Sequence, residues 1–211
     1  MQAINHAVDV WKVDIISMSF HLAGEPANVK AAISHGSGNG VLFFAAAGNN
    51  LHYKPGSIAF PALLHSVFCI NSHNDNTKGS DFTPHARNHS PNFMAIGQNL
   101  EGPGENNTTK FMNGTSCATP IAAAFAAMVI DYTREHEKHC PPEIKTQLEL
   151  LKEDNAMKYV FFDCMVDKNI GKLGKYNVLK PRLLFREDWG PEIIFPRIIA
   201  GIERRSELFL H

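Results

Sequence analysis

The 211-residue chain has no run of about 18 consecutive apolar residues, the length a membrane-crossing helix needs, so no transmembrane segment is expected. It also lacks an excess of either charge: 20 basic and 21 acidic residues leave a formal net charge of −1. That balance excludes a broad basic face for nucleic acid or anionic membrane. Cysteine is sparse. Cys69, Cys117, Cys140 and Cys164 are too few and too scattered for a disulfide framework. They read as mostly buried thiols of a reducing compartment, which leans the chain towards an intracellular setting. The 11 histidines fall at no metal-ligand spacing, so no metal or other cofactor is expected. Met1-Gln2-Ala3-Ile4-Asn5-His6-Ala7 lacks the basic region and apolar core of a signal peptide. No internal repeat is visible.

What is present is an ordinary globular balance, 44% hydrophobic and 19% charged, in a chain long enough for one domain with a real core. Ala3, Ile4, Ala7, Val8 and Trp11 recur at helical spacing and predict a helix over residues 2–11. It begins abruptly, as if the chain were cut into an existing fold. Val13 to Phe20 is rich in β-branched residues and suits a strand buried on both faces. Residues 27–36 read as a second helix, closed by Gly36-Ser37-Gly38-Asn39-Gly40, and Val41 to Ala46 as a second buried strand. Strand, helix, strand implies parallel neighbours and an α/β sheet with helices on its faces. Further strands are expected at Ser66–Asn71 and Asn92–Ile96, with a polar surface loop over Ser72–Pro91 and a long loop over Gly97–Lys110. A helix is expected over Glu143–Asp154. Tyr159–Met165 reads as strand or helix. From Gly171 the tail is broken into short pieces by Pro181, Pro191 and Pro196. In such sheets ligands bind at the carboxyl ends of strands, where Ser19-Phe20 and Gly48-Asn49 fall.

The most telling stretch is Phe111-Met112-Asn113-Gly114-Thr115-Ser116-Cys117-Ala118-Thr119-Pro120, followed by an Ala-rich helix, apolar on nearly all sides and so expected to be buried. Ser116 stands at its start, where free N–H groups and the helix dipole favour negative charge. Pro120 is expected in the first turn, where its missing N–H costs least. On this stretch alone Ser116 reads equally as a helix cap.

Gly114 to Pro120 resembles the nucleophile motif Gly-Thr-Ser-x-Ala-x-Pro of the subtilisin-like serine proteases (subtilases). Val41 to Asn50 resembles that family's strand ending in Ala-Ala-Gly-Asn, and Val13 to Phe20 its cleft-lining strand. The three occur in the family's order over roughly residues 1–135. The resemblance implies a three-layer α/β fold, a mostly parallel sheet with helices on both faces and its N-terminal part missing. It implies a serine endopeptidase, with Ser116 as nucleophile and Asn49 as oxyanion donor. Ser19 and Phe20 would pair with an extended polypeptide substrate, and Ala46, Ala47 and Gly48 would wall the pocket before the scissile bond. A cis Phe60-Pro61 bond is implied beside that pocket. Residues 1–155 would be the C-terminal portion of the catalytic domain, with 156–211 an extension packed on it.

The departures are equally informative. Ile121 follows the motif proline where the family has His. His21 stands where a Gly is usual, and its side chain crowds the substrate edge. Cys117 beside the serine points away from it and reads as core. The Asp-Thr-Gly and His-Gly-Thr turns that carry the rest of the triad do not occur; His6, Asp9 and His35 lie on helices and match neither. The chain therefore reads as the serine half of a protease site, with little activity alone and with a missing N-terminal half as its partner if that is expressed separately. The alternative is a non-catalytic pseudoprotease or peptide-binding remnant. An esterase would show Gly-x-Ser-x-Gly, which is absent. The sequons at Asn88, Asn106, Asn107 and Asn113 matter only if the chain is secreted.

Overall fold

A computed structural model describes residues 1–49, 58–88, 90–167 and 176–207. Asn50, most of the loop expected over Leu51–Pro61, His89 of the first sequon and the start of the tail at Gly171 lie outside these residues. Five parallel strands form the central sheet in the order β1-β2-β3-β4-β7. They are β1 (Ile15–Met18), β2 (Leu42–Ala46), β3 (Val67–His73), β4 (Asn92–Ile96) and β7 (Tyr176–Val178).

The side-chain period of two divides the core. Leu42 and Phe44 of β2 and Phe68 and Ile70 of β3 face one layer, with Phe93 of β4. That layer is α3 (Thr115–His136), α4 (Pro142–Glu149), α5 (Asp154–Val160) with a π turn over Phe161–Met165, and α6 (Pro191–Glu203). Phe43, Ala45, Val67 and Cys69 face the opposite layer, α1 (Gln2–Asp9) and α2 (Ala27–Gly38). The Phe44 and Phe68 rings stack at 4.3 Å, and Phe161 meets Phe68 and Phe93 edge-on. Burial pushes the Cys69 thiol up to about 11. All four cysteines are free; Cys69 and Cys164 are buried, Cys117 and Cys140 only half-buried.

Several expectations are corrected. The strand expected to be buried on both faces, β1, is the edge of the sheet and exposes Ser17. Trp11 lies beyond the end of α1 and is 69% exposed. The loop over Gly97–Lys110 contains an antiparallel hairpin, β5 (Leu100–Pro103) with β6 (Thr109–Met112). The polar stretch Ser72–Pro91 is not all surface loop: Ser72 and His73 end β3 and, with Ser80 and Thr83, are buried, the Ser72 and Ser80 hydroxyls 2.8 Å apart. Helix α3 packs across β1 to β4 but leaves Ala124, Ala127 and Met128 exposed. By length and composition alone α3 could cross a membrane, which counting uninterrupted apolar residues did not anticipate; here it is a sheet-packed helix.

The tail is more regular than its prolines suggested. Strand β7 joins the main sheet beside β4, and α6 runs through Pro196. Pro191 stands at the helix start, where a proline ring is preorganised. Beyond it Ile194, Phe195, Ile198 and Ile202 are buried, which outweighs the one backbone bond Pro196 removes. Tyr159–Met165 is helical. The expected boundary at residue 155 falls inside α5.

Candidate active site

Helix α3 starts at Thr115, one residue before Ser116, so Pro120 lies in its second turn and not in the first as expected. A proline there has no N–H for the carbonyl four residues back, which is that of Ser116. The Ser19 hydroxyl donates to that carbonyl instead, at 2.8 Å. In return the Ser116 hydroxyl donates to the Ser19 carbonyl at 3.3 Å. This reciprocal pair ties the end of β1 to the start of α3, and it exists because Pro120 left an acceptor vacant.

Thr115 does the same for the end of β2. Its N–H donates to Asn49 Oδ1 at 2.8 Å, and its hydroxyl donates to the same oxygen at 2.9 Å. That hydroxyl also accepts the Gly48 N–H at 3.2 Å. With Oδ1 committed, the Asn49 amide presents Nδ2 as a free-standing donor. The Thr119 hydroxyl closes the turn on the Thr115 carbonyl at 2.7 Å.

Gly114 explains why nothing fills the space between. A Cβ there would sit 3.2 Å from Asn49 Nδ2 and 3.6 Å from the Ser116 nitrogen. Two donors therefore converge on a volume that any side chain at Gly114 would occupy. The Ser116 N–H lies in the first helical turn, where the helix supplies no acceptor. Gly48, at φ +113°, lets the chain turn out of β2 towards Asn49. The loop before Ser116 is held from behind by Gly97, whose carbonyl accepts the Gly114 N–H at 2.8 Å. A Cβ on Gly97 would lie 2.6 Å from both the Gly114 carbonyl and the Ser72 hydroxyl, so that packing too requires glycine.

These groups line one cleft of about 300 Å³. All seven residues expected at the site are on its walls: Ser19, Phe20, Ala46, Ala47, Gly48 and Asn49 at the carboxyl ends of β1 and β2, and Ser116 at the head of α3. His21, expected to crowd the substrate edge, is also in the lining; Thr115, Ile58 and Ala59 complete it and are not among the expected site residues, although Thr115 stands inside the Gly-Thr-Ser stretch that carries the sequence argument. Phe20 is 48% exposed on the cleft's rim. The Phe60-Pro61 bond next to Ala59 is cis, as the resemblance implied. Cys117, read as core, is half-buried and does not line the cleft.

Among the described residues no carboxylate lines this cleft, and His21 is its sole imidazole. A His–Asp pair does exist elsewhere: His35 Nε2 is 2.8 Å from Asp9 Oδ1. His35 lies in the last turn of α2, which leads into the amino end of β2, so the pair sits at the opposite end of the sheet from Ser116. No group of three or more histidine, cysteine or acidic side chains is placed to hold a metal among the described residues.

Comparison with known proteins agrees with this architecture. The major intracellular serine protease of Bacillus subtilis (strain 168) is 30% identical over 137 residues, covering 64% of this chain and 42% of the relative. Subtilisin Savinase of Lederbergia lenta is 28% identical over 115 residues, 54% of this chain and 41% of the relative. The chain thus spans less than half the length of these two curated relatives. Among solved structures, the prenylagaramide maturation protease PagA matches with a TM-score of 0.67 at 20% identity, covering 95% of this chain and 66% of its own. The patellamide maturation protease PatA matches at 0.65 and 21%, covering 86% and 65%. The model of the subtilase family matches residues 1–157, about three quarters of the chain with every residue of the cleft inside it, and the chain belongs to the subtilase family.

Proposed function

We propose that this chain carries the serine half of a subtilisin-like endopeptidase site. The single observation that supports this best is the convergence of Asn49 Nδ2 and the Ser116 N–H on the empty volume beside Gly114. Ser116 is the nucleophile, and the two donors would stabilise the oxyanion of the tetrahedral intermediate. An extended polypeptide pairs with Ser19 and Phe20, just beyond the end of β1, adding main-chain hydrogen bonds as a further strand. The small residues Ala46, Ala47 and Gly48 leave room for a large apolar side chain before the scissile bond.

The same geometry argues that these residues alone do not complete the chemistry. The Ser116 proton is directed at a carbonyl, which is no general base, and no imidazole–carboxylate pair stands beside it among the described residues. No base with an orienting acid stands in the cleft among the described residues, and on this reading both are supplied by a complement docked at the open edge of β1. Without them, only the effect of the oxyanion site and of binding remains, about 10³–10⁴ over water in enzymes stripped of triad members. The commitment of the Ser116 hydroxyl to Ser19 also favours a second reading, a peptide-binding module that does not cleave.

Incubating the purified chain with apolar-rich peptides tests both readings, with binding followed by calorimetry and cleavage by mass spectrometry. Binding with negligible turnover is expected. Rapid cleavage abolished by Ser116→Ala would overturn the claim that the chain needs a complement, and failure of every extended peptide to bind would overturn the cleft assignment.

A further inference from the structure

A second pocket, of about 520 Å³, is built from residues beyond the stretch the family model matches and shares no lining residue with the Ser116 cleft. Arg182, Arg186 and Arg197 line it together with Trp189, Asp163 and Asp167. Two of the arginines are fixed by one ring: the guanidinium carbons of Arg186 and Arg197 lie 5.0 and 4.9 Å from the Trp189 centroid. Such stacking restrains flexible side chains before any ligand arrives.

The charges in the pocket do not cancel. Asp163 accepts two bonds from Arg204 Nη1, both at 2.8 Å, and Asp167 takes Lys180 at 3.4 Å. Both carboxylates are thus matched by cations that do not line the pocket. Arg186 is paired with the exposed Asp188. Arg182 and Arg197 have no carboxylate partner among the described residues, and Arg197 Nε is buried without a hydrogen-bond acceptor. Like charges lining one pocket raise each other's energy. A multivalent oxyanion would relieve this repulsion, because guanidinium groups match its oxygens in geometry and charge.

We propose that Arg182, Arg186 and Arg197, organised around Trp189, form a binding site for a phosphate-class oxyanion. The site is independent of proteolysis and of any complement to the Ser116 cleft.

Trp189 is its own reporter. The chain has 2 tryptophans, and the other, Trp11, is exposed, so Trp11→Phe isolates the signal without touching the core. Tryptophan emission of that variant is titrated with inorganic phosphate, with sodium chloride and sodium acetate as arms at matched ionic strength. A saturable change with phosphate alone is expected, its apparent Kd weakened at least about tenfold by Arg197→Gln and by Arg182→Gln, in keeping with the strength of charge-assisted bonds. Arg182 is exposed, so that second variant leaves packing intact even if Arg197→Gln does not. No saturable change, an equal response to chloride or acetate, or a response unaltered by Arg182→Gln would overturn the proposal.

Discussion

Asn49 is asked to do two jobs, and its two amide atoms separate them. Oδ1 accepts the N–H and hydroxyl of Thr115, a fully buried residue at the head of α3, while Nδ2 faces the space beside Gly114. Asn49→Leu removes both. It strands the Thr115 donors, and a buried donor without an acceptor costs about 1–3 kcal/mol. Asn49 itself is exposed, so water reaches part of the gap and the lower half of that range applies, about 1–2 kcal/mol. For a chain of this size each kcal/mol moves the midpoint by about 2–4 °C, so thermal unfolding by circular dichroism should fall by about 2–8 °C. Asn49→Asp keeps the acceptor and deletes only the Nδ2 donor, so it should hold the midpoint close to that of the parent while placing a negative charge where an oxyanion would form. Equal losses in the two variants would refute the division of labour, because the stabilising atom would then be Nδ2. No loss in either would mean that the Thr115 bonds contribute nothing.

The remaining predictions test how the layers are joined. Gly201→Ala should destabilise by up to about 2 kcal/mol net in urea unfolding, because its Cβ would sit 2.9 Å from the Val160 Cα and 3.0 Å from the Val160 nitrogen, an overpacking cost of about 1–3 kcal/mol. That exceeds the ~1 kcal/mol a helix gains from replacing glycine, and a stabilised variant would contradict the close α5–α6 contact. Ser19→Ala should cost about 0.5–1.5 kcal/mol in the parent and much less in a Pro120→Ala background, where a helical N–H can reach the Ser116 carbonyl; a double-mutant cycle with zero coupling would remove the proline-vacancy explanation. The Arg134 hydrogen bond holds the Asp14 carboxyl below its ordinary value. Its contribution is therefore complete above the unfolded value, about 3.9, and is lost as pH falls through the lower folded value. Both groups are substantially solvated, so the effect is small, and Asp14→Asn should flatten the stability profile only in that acid window.

The sequence was most legible where tertiary structure adds least. Strand β4 occupies the expected Asn92–Ile96, and β2 and β3 lie within two residues of expectation, because their apolar runs are bounded by turn residues and buried on both faces. The hairpin of β5 and β6 escaped notice for the opposite reason. Its residues are mostly exposed, so no apolar alternation marks them, and Gly102, Pro103 and Gly104 read as loop punctuation. Pro191 and Pro196 were taken as breaks although one opens α6 and the other is carried by its buried stripe. Strand β7 has only three residues, too few to show a period, and its place beside β4 comes from pairing alone. At the site, the motif residues could be named individually, but not the bonds between them. That Ser116 faces Ser19 follows from a backbone acceptor vacated by Pro120, and that Asn49 turns its oxygen inward follows from Thr115; both are relations across more than 60 residues of chain.

Donors for an oxyanion and a base for a nucleophile are separable parts of a serine hydrolase, and this chain distributes them unequally. On the proposed reading the oxyanion donors come from the end of β2 and the head of α3, joined through Thr115, so they form wherever β1, β2 and the head of α3 fold together. The base is different. On the same reading it approaches Ser116 from outside the described cleft wall, where β1 ends the sheet and α3 leaves Ala124, Ala127 and Met128 exposed. Until something docks there, the Ser116 hydroxyl satisfies itself on the Ser19 carbonyl, an acceptor that orients the proton but cannot take it away. The 3.3 Å length of that bond, against 2.8 Å for its reciprocal partner, makes it the weaker of the two and the one an incoming imidazole can replace without disturbing the link between β1 and α3.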